Sequence, residues 1–203
     1  MLAAMKFPSA SSVGLLSFTI LACSEWSSGQ AQEESRDVHV EVASGPITIQ
    51  KIQVTPLPAP ELARLAEVDT YWAEVSRSVK TGDFAAYQAG CHEKAVLVSG
   101  SKRVSYPLSQ ALARWKKEFD DTKAGTRESA VEFRFSHRYG DASTAHESGV
   151  FCYTWKQGNG ESTPEYVEFE ALLLKENGKW QILMEYQKSA VKKAAWDALA
   201  PGA

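Results

Sequence analysis

The chain has 203 residues, of which 44% are hydrophobic and 23% are charged, a composition typical of one soluble globular domain with a core of its own. Its formal net charge is −3. No run of Lys or Arg forms a basic stripe, which argues against nucleic acid as a partner.

Residues 1–31 have the pattern of a secretory signal peptide. Lys6 precedes an apolar run over residues 13–22, which is shorter than the roughly 20 residues needed to span a bilayer and matches the apolar region of an export signal. Two endings compete. The tetrapeptide ILAC at residues 20–23 resembles a lipobox, so a lipidated Cys23 would anchor an outer-membrane lipoprotein. Alternatively, cleavage before Gln32 would release a free periplasmic or secreted protein.

Either ending leaves Cys91 and Cys152 as the thiols of the folded domain. In an oxidising compartment they could form a disulfide. They could equally be two buried, unpaired thiols, because free cysteine is commonly buried.

Residues 32–60 are predicted to be an N-terminal segment that ends in a Pro-rich linker. Apolar residues alternate with polar ones over 38–42 and again over 47–54, which indicates two short strands. They could form a hairpin or a loose leader. Pro56, Pro58 and Pro60 then stiffen the chain.

A domain is predicted over residues 61–189, and it starts with helices. The first helix begins near Glu61 and ends at Gly82, as helices with a C-terminal glycine do. Asp83 caps a second, short helix. A strand follows from Ala95 to Val98, residues 100–106 form a loop, and Pro107 lies in the first turn of a third helix.

The rest of the domain is predicted to consist of strands. Alternating residues indicate strands over 131–139, 144–156, 166–175 and 180–188, and Asn177-Gly178 is a strong hairpin signal. A short helix is expected in the tail, residues 190–203. This order predicts an α+β fold, with a curved antiparallel sheet wrapped on the N-terminal helices.

Three motifs in this order resemble the nuclear transport factor 2-like superfamily. They are Trp72 with the helix end at residues 81–83, the strand at 95–98, and the terminal hairpin at 172–182. The superfamily includes the SnoaL-like cyclases, the ketosteroid isomerases and the association domain of calcium/calmodulin-dependent kinase II. The resemblance covers about residues 61–188. It implies a cone-shaped domain with an apolar cavity between helices and sheet, and frequent homodimers through the outer sheet face.

The resemblance also allows a test for isomerase chemistry, which needs a carboxylate base and a pair of acids that stabilise an enolate. Ser99 stands where the family has the base, and Val75 stands where it has the oxyanion-hole tyrosine. Only the partner acid is kept, near Glu170. These departures argue against this type of isomerase.

Glu170 has two interpretations. If residues 166, 168, 170, 172 and 174 face the cavity, Glu170 is a desolvated acid suited to proton transfer. Residues 167, 169, 171 and 173 are more consistently apolar, which favours a surface position for Glu170 instead. His92 could act as an acid or base near neutral pH, or simply be a solvated or capping residue.

The predicted ligand-binding residues are Trp72, Tyr106, Glu170 and Tyr186. The two tyrosines are included because a buried phenol needs a polar partner. No histidine spacing suggests a metal site, and no cofactor is expected. The leading hypothesis is an exported protein that binds a small apolar or amphipathic ligand without catalysis. The alternatives are a cyclase-like or dehydratase-like enzyme that uses Glu170 with His92 or Tyr186, and a dimeric envelope scaffold.

Overall fold

The computed structural model describes residues 39–42, 45–48 and 57–200. The chain divides into two compact units, Met1–Val54 and Thr55–Ala203. In the first unit, strand β1 (His39–Val42) pairs antiparallel with β2 (Gly45–Thr48). The rest of the second alternating run, the predicted export signal and Cys23 lie outside the described residues.

The second unit begins with two helices joined at a single glycine. Helix α1 runs over Ala59–Thr81 and ends at Gly82, whose φ of 68° is left-handed. Helix α2 spans Phe84–Ala89, and the Asp83 carboxylate caps it by accepting a hydrogen bond from the Ala86 amide at 3.1 Å. Both features agree with the prediction. Within the described part of the chain, no helix is long and apolar enough to cross a membrane.

Helix α3 and six strands complete most of the domain. The sheet contains β3 (Cys91–Ser99), β4 (Val104–Pro107), β5 (Arg127–Gly140), β6 (Thr144–Gln157), β7 (Thr163–Glu176) and β8 (Lys179–Ala190). Helix α3 spans Leu108–Lys123. Part of the predicted loop at 100–106 is therefore strand β4, and Pro107 ends that strand instead of lying in the first turn of α3.

The strands form one curved, unclosed sheet in the order β4-β3-β8-β7-β6-β5. The prediction of a fully antiparallel sheet is wrong at one place, because β3 and β8 are parallel. Hairpin signals predict pairing only between strands that follow one another. β3 and β8 are the first and last long strands of the domain, so their pairing has no local signal.

The core lies between the helices and the inner face of the sheet. Val68 and Trp72 of α1 and Leu108 of α3 are buried there against Leu97 and Phe169 of the strands. Alternate residues of each strand face this core, as the two-residue period requires.

The short helix α4 (Lys193–Asp197) packs on the other face of the sheet. Trp196 is buried there, beneath the guanidinium of Arg134 at 4.4 Å from the ring centroid. Arg134 also donates hydrogen bonds to the carbonyl oxygens of Trp196 and Leu199, at 3.0 and 3.1 Å. These contacts tie α4 and Leu199 to the sheet.

One irregularity in β8 decides which side chains face the core. Leu172 of β7 is opposite Met184, but Leu173 is opposite Ile182, so Leu183 is an extra residue in β8. Such a bulge reverses the alternation of the strand beyond it. Ile182 faces the core before the bulge, and Glu185 takes the core-facing position after it.

Candidate functional site

Glu185 is a carboxylic acid on the inner face of the sheet. Its strand neighbours are Leu97 of β3 and Ala171 of β7, which are 2% and 0% exposed. The Gln187 amide donates a hydrogen bond to Glu185 Oε1 at 2.6 Å. Glu185 is therefore an acid set among core residues, with a neutral partner on its own strand.

Glu185 is both deeply placed and accessible. Burial raises the pKa of the Glu185 carboxyl, and the hydrogen bond from Gln187 opposes that rise only in part. Even so, the side chain is half-buried and not fully enclosed. Glu185 therefore lies among core residues of the sheet and still keeps some accessible surface.

The helices contribute two phenols and a thiol to the same place. Tyr71 of α1 and Tyr87 of α2 are half-buried, as is Cys91 at the start of β3. Burial raises the pKa of all three, and the nearby charge of Glu185 raises each pKa further. We call the site formed by Tyr71, Tyr87, Cys91, Glu185 and Gln187 the Glu185 recess.

Two of these polar groups are held by backbone carbonyls. The Tyr71 hydroxyl donates to the Gly90 carbonyl at 3.2 Å. The Cys91 thiol donates to the Tyr87 carbonyl at 3.4 Å. Burial raises the pKa of Cys91 to about 12, so the thiol is protonated at neutral pH and is a weak nucleophile.

Aromatic rings extend the recess on the helix side. The ring of Tyr87 lies 5.0 Å from that of Phe119 and 6.3 Å from that of Trp115. Tyr71 packs edge-on against Trp72 at 5.1 Å. The recess therefore combines one ionisable acid with largely apolar, aromatic surroundings.

Glu170 lies on the opposite face of the sheet. It alternates with the core residues Phe169 and Ala171, and its carboxylate pairs with Lys188 at 2.6 Å and with His146 at 3.6 Å. The hydrogen bond from Lys188 is the main reason that the pKa of Glu170 is lowered. Glu170 is thus an ion-paired acid outside the Glu185 recess.

His92 and Tyr186 also lie apart from the recess. His92 Nε2 is 3.6 Å from the Glu176 carboxylate, and Nδ1 accepts a hydrogen bond from the Lys94 amide at 3.0 Å. Tyr186 is paired with Glu170 and so shares the outer face with it. The structure therefore brings Tyr186 close to Glu170, but it places His92 elsewhere.

Trp72 and Tyr106 are both engaged by other side chains. Trp72 is 6% exposed, and its ring lies 4.5 Å from that of Phe133. Its indole nitrogen has no hydrogen-bond partner among the described residues. The Tyr106 hydroxyl accepts a hydrogen bond from Arg114 at 2.8 Å. Trp72 supports the core beneath Tyr71, and Tyr106 is tied to α3.

A second polar cluster is buried where α1 meets β5 and β6. Glu147 is fully buried and pairs with Arg138 at 2.5 Å and with Arg64 at 3.6 Å. Arg138 also pairs with Asp69 of α1 at 2.5 Å, and Arg64 pairs with Glu61. Three acids and two arginines are linked here, so the cluster joins helix and sheet.

The sequence analysis did not identify Glu185, Tyr71 or Tyr87 as site residues. The two tyrosines lie at positions where helical spacing predicts core. Simple alternation from the core residue Trp180 would have assigned Glu185 to the outer face of the sheet. The bulge at Leu183 has no recognisable sequence signal.

The described residues contain no group of three or more His, Cys, Asp or Glu side chains placed to hold a metal ion. Cys91 and Cys152 are both free thiols. Cys91 begins β3, whereas Cys152 lies in β6 opposite Tyr166.

No family model matches the sequence, and no curated protein matches it. Solved structures are similar to it in fold. A conserved protein from Planctomyces limnophilus matches with a TM-score of 0.54 at 10% identity, covering 62% of this chain and 95% of that one.

Two further neighbours carry descriptive names. A nuclear transport factor 2-like protein of unknown function from Shewanella oneidensis has a TM-score of 0.47 at 18% identity, covering 61% of this chain and 97% of its own. A ketosteroid isomerase-like protein from Erwinia carotovora has a TM-score of 0.48 at 18% identity, and the match covers 64% of this chain and 97% of that one. With its N-terminal helices packed on a curved, unclosed six-stranded sheet, the chain has the α+β nuclear transport factor 2-like fold.

Proposed function

We propose that this protein binds a small apolar or amphipathic molecule in the Glu185 recess and does no chemistry on it. The observation that supports this most directly is Glu185 itself, an accessible carboxyl on the core-facing side of the sheet. Binding sites for small molecules are typically concave and mostly apolar, with a few polar groups that orient the ligand. Tyr71, Tyr87 and Trp115 supply the apolar part, and Glu185 supplies the polar one.

A non-catalytic role fits the chemistry of the recess. The Cys91 thiol is protonated at neutral pH, because burial raises its pKa to about 12. The enzyme alternative needs Glu170 to act with His92 or Tyr186 in one pocket. Instead, Lys188 neutralises Glu170 on the outer face, and His92 contacts Glu176.

The proposal is tested by offering the purified protein a lipid extract and a metabolite mixture, and then recording native mass spectra. We expect a discrete small-molecule adduct. Amide chemical-shift changes on adding the identified ligand should centre on Tyr71, Tyr87 and Glu185. If neither mixture yields an adduct, or if the shifts centre on outer-face residues such as Tyr139, the proposal fails.

The outer sheet face supports a second candidate, self-association in an envelope scaffold. Tyr139 is 60% exposed and Leu172 is 40% exposed, and the Tyr139 ring stacks on His146 with an interplanar angle of 6°. Exposed aromatic and aliphatic side chains of this kind are typical of interfaces. Light scattering at micromolar concentration should then report a dimer that Tyr139→Ser weakens. A strict monomer would argue against it.

We also propose that the protein is exported, on the strength of the apolar run at residues 13–22. Intact-mass analysis of the mature protein distinguishes the two forms. A lipidated N-terminus at Cys23 means membrane anchoring, whereas an unmodified chain starting at Gln32 means a free periplasmic or secreted protein. An uncleaved Met1 would refute export.

A further inference from the structure

We infer that the Glu185 recess selects an organic cation, an amine or quaternary ammonium carried on an apolar body. This inference rests on the proposed binding function and specifies the chemical class of the ligand. Three independent properties of the recess lead to it: its hydrogen-bonding capacity, its charge and its aromatic surroundings.

Three hydrogen-bond donors of the recess are engaged by protein atoms. The Tyr71 hydroxyl proton goes to the Gly90 carbonyl, and the Cys91 thiol proton goes to the Tyr87 carbonyl. The Gln187 amide donates to Glu185. The lone pairs of Glu185 and of the Tyr71 oxygen remain as acceptors for a ligand. A ligand that donates hydrogen bonds, or that carries positive charge, complements such a site.

Glu185 differs in its electrostatic surroundings from the other inward acid, Glu147. Two arginines accompany Glu147, at 2.5 and 3.6 Å. Among the described residues, no Lys or Arg ion-pairs with Glu185, and Glu185 accepts its hydrogen bond from the neutral amide of Gln187. Burying an unpaired carboxylate is costly, and a cation beside it removes that cost. A cationic ligand would therefore complete the site.

The rings nearest to Glu185 favour the same kind of ligand. Tyr71 and Tyr87 lie close enough to Glu185 for its charge to raise their pKa values, and Trp115 packs edge-on against Tyr87. Aromatic faces attract ammonium groups, most strongly where water is excluded. The apolar body of the ligand would lie against the same rings.

The pH dependence of binding follows from the groups that face Glu185. They are Tyr71 from α1, Tyr87 from α2, Cys91 from β3 and the non-titrating Gln187 on its own strand. Burial raises the pKa of both phenols and of the thiol, so all three remain protonated between pH 5 and 8. Of these groups, only the Glu185 carboxyl, whose pKa burial raises, is expected to ionise as the pH rises. Affinity for a cation should therefore rise with pH, as the carboxyl ionises.

Calorimetric titration with matched probes tests the inference. Decyltrimethylammonium is the cation, and decyldimethylphosphine oxide is a neutral hydrogen-bond acceptor of similar shape. Both are used below their micelle-forming concentrations at pH 5, 6.5 and 8. We expect the cation to bind roughly tenfold more tightly at pH 8 than at pH 5, as the loss of one favourable ion pair would give. The neutral probe should bind with the same affinity at all three pH values.

Two matched variants assign the effect to the recess. Glu185→Gln keeps the shape but removes the charge, so the cation should bind about tenfold more weakly at pH 8. Glu170→Gln removes an acid on the outer face and should leave its affinity unchanged. The wild-type pH series needs no variant, so poor folding of Glu185→Gln would not block the test.

The outcomes separate the inference from the proposed function. If the neutral probe binds as tightly as the cation, or if its affinity falls as pH rises, a protonated Glu185 is serving as a donor. Binding in the recess then stands, and the inference is overturned. If the cation binds equally well to Glu185→Gln, it is attracted to the acidic surface and the inference is also overturned. If neither probe binds at any pH, both proposals fail.

Discussion

Replacing Gly82 by alanine should test how closely the helices approach each other above the recess. A Cβ at Gly82 would lie 2.5 Å from the Phe119 carbonyl oxygen and 2.9 Å from Lys123 Cα. These are backbone atoms of α3, so they cannot rotate away. Gly125 has a similar left-handed φ of 74°, but a Cβ there would meet nothing within 4 Å.

The two glycines therefore separate conformational strain from steric contact. The left-handed conformation costs an L-residue about 1–2 kcal/mol at either position. Overpacking at Gly82 should add about 1–3 kcal/mol. We expect Gly125→Ala to lose about 1–2 kcal/mol of unfolding free energy and Gly82→Ala about 2–5 kcal/mol. For a domain of this size, each kcal/mol lowers the melting temperature by roughly 2–4 °C.

Urea unfolding followed by far-ultraviolet circular dichroism gives both free energies. Equal losses for the two variants would refute the reasoning, because α1 and α3 would then have room to separate. The approach also matters for function, since α1 carries Tyr71 and α3 carries Trp115. A larger separation of α1 and α3 should weaken ligand binding in Gly82→Ala, whereas Gly125→Ala should bind the ligand normally.

The other predictions concern buried ionisable groups. Burial raises the pKa of Glu185, so the free energy of unfolding should fall as pH rises from the ordinary carboxyl pKa through the raised one. Glu185→Gln should remove this fall when stability is measured by urea unfolding. Parallel curves of stability against pH for the variant and the wild type would contradict this. Glu147→Ala removes one partner from the buried Arg64 and one from the half-buried Arg138, and it should cost about 3–5 kcal/mol. Glu128→Ala removes an exposed ion pair with Lys156 and should cost about 1 kcal/mol or less. Losses of the same size would show that the buried cluster is not structural. Cys91 should react with iodoacetamide at pH 8 far more slowly in the folded protein than in urea, because its pKa is raised to about 12. Equal mass-spectrometric labelling rates would refute that.

Local pattern was sufficient for most elements of the domain. The end of α1 at Gly82 and the cap at Asp83 follow from residue types whose backbone preferences act within one turn. The hairpin at Asn177-Gly178 joins β7 and β8, and both residues have the positive φ that this turn requires. These features depend on neighbours in the chain and are readable from it.

The local sequence pattern was less informative where a strand pairs with a segment that is distant in the chain. The short strand β4 exists because Ser105 and Tyr106 pair with β3, although the sequence there suggests a loop. The parallel contact of β3 with β8 joins residues almost ninety positions apart, such as Leu97 and Glu185. Such pairings are decided by the whole sheet and not by local propensity.

The sequence by itself determined the helices and most of the strands. It also favoured the correct core-facing side of β7, because the set with Phe169 and Ala171 is the more consistently apolar one. The tertiary structure alone decided where the acid of the recess comes from. One extra residue at Leu183 turns Glu185 inward, and the approach of α1 and α2 then places Tyr71 and Tyr87 beside it. A bulge depends on the fit between two paired strands, so the order of residues in one strand does not reveal it.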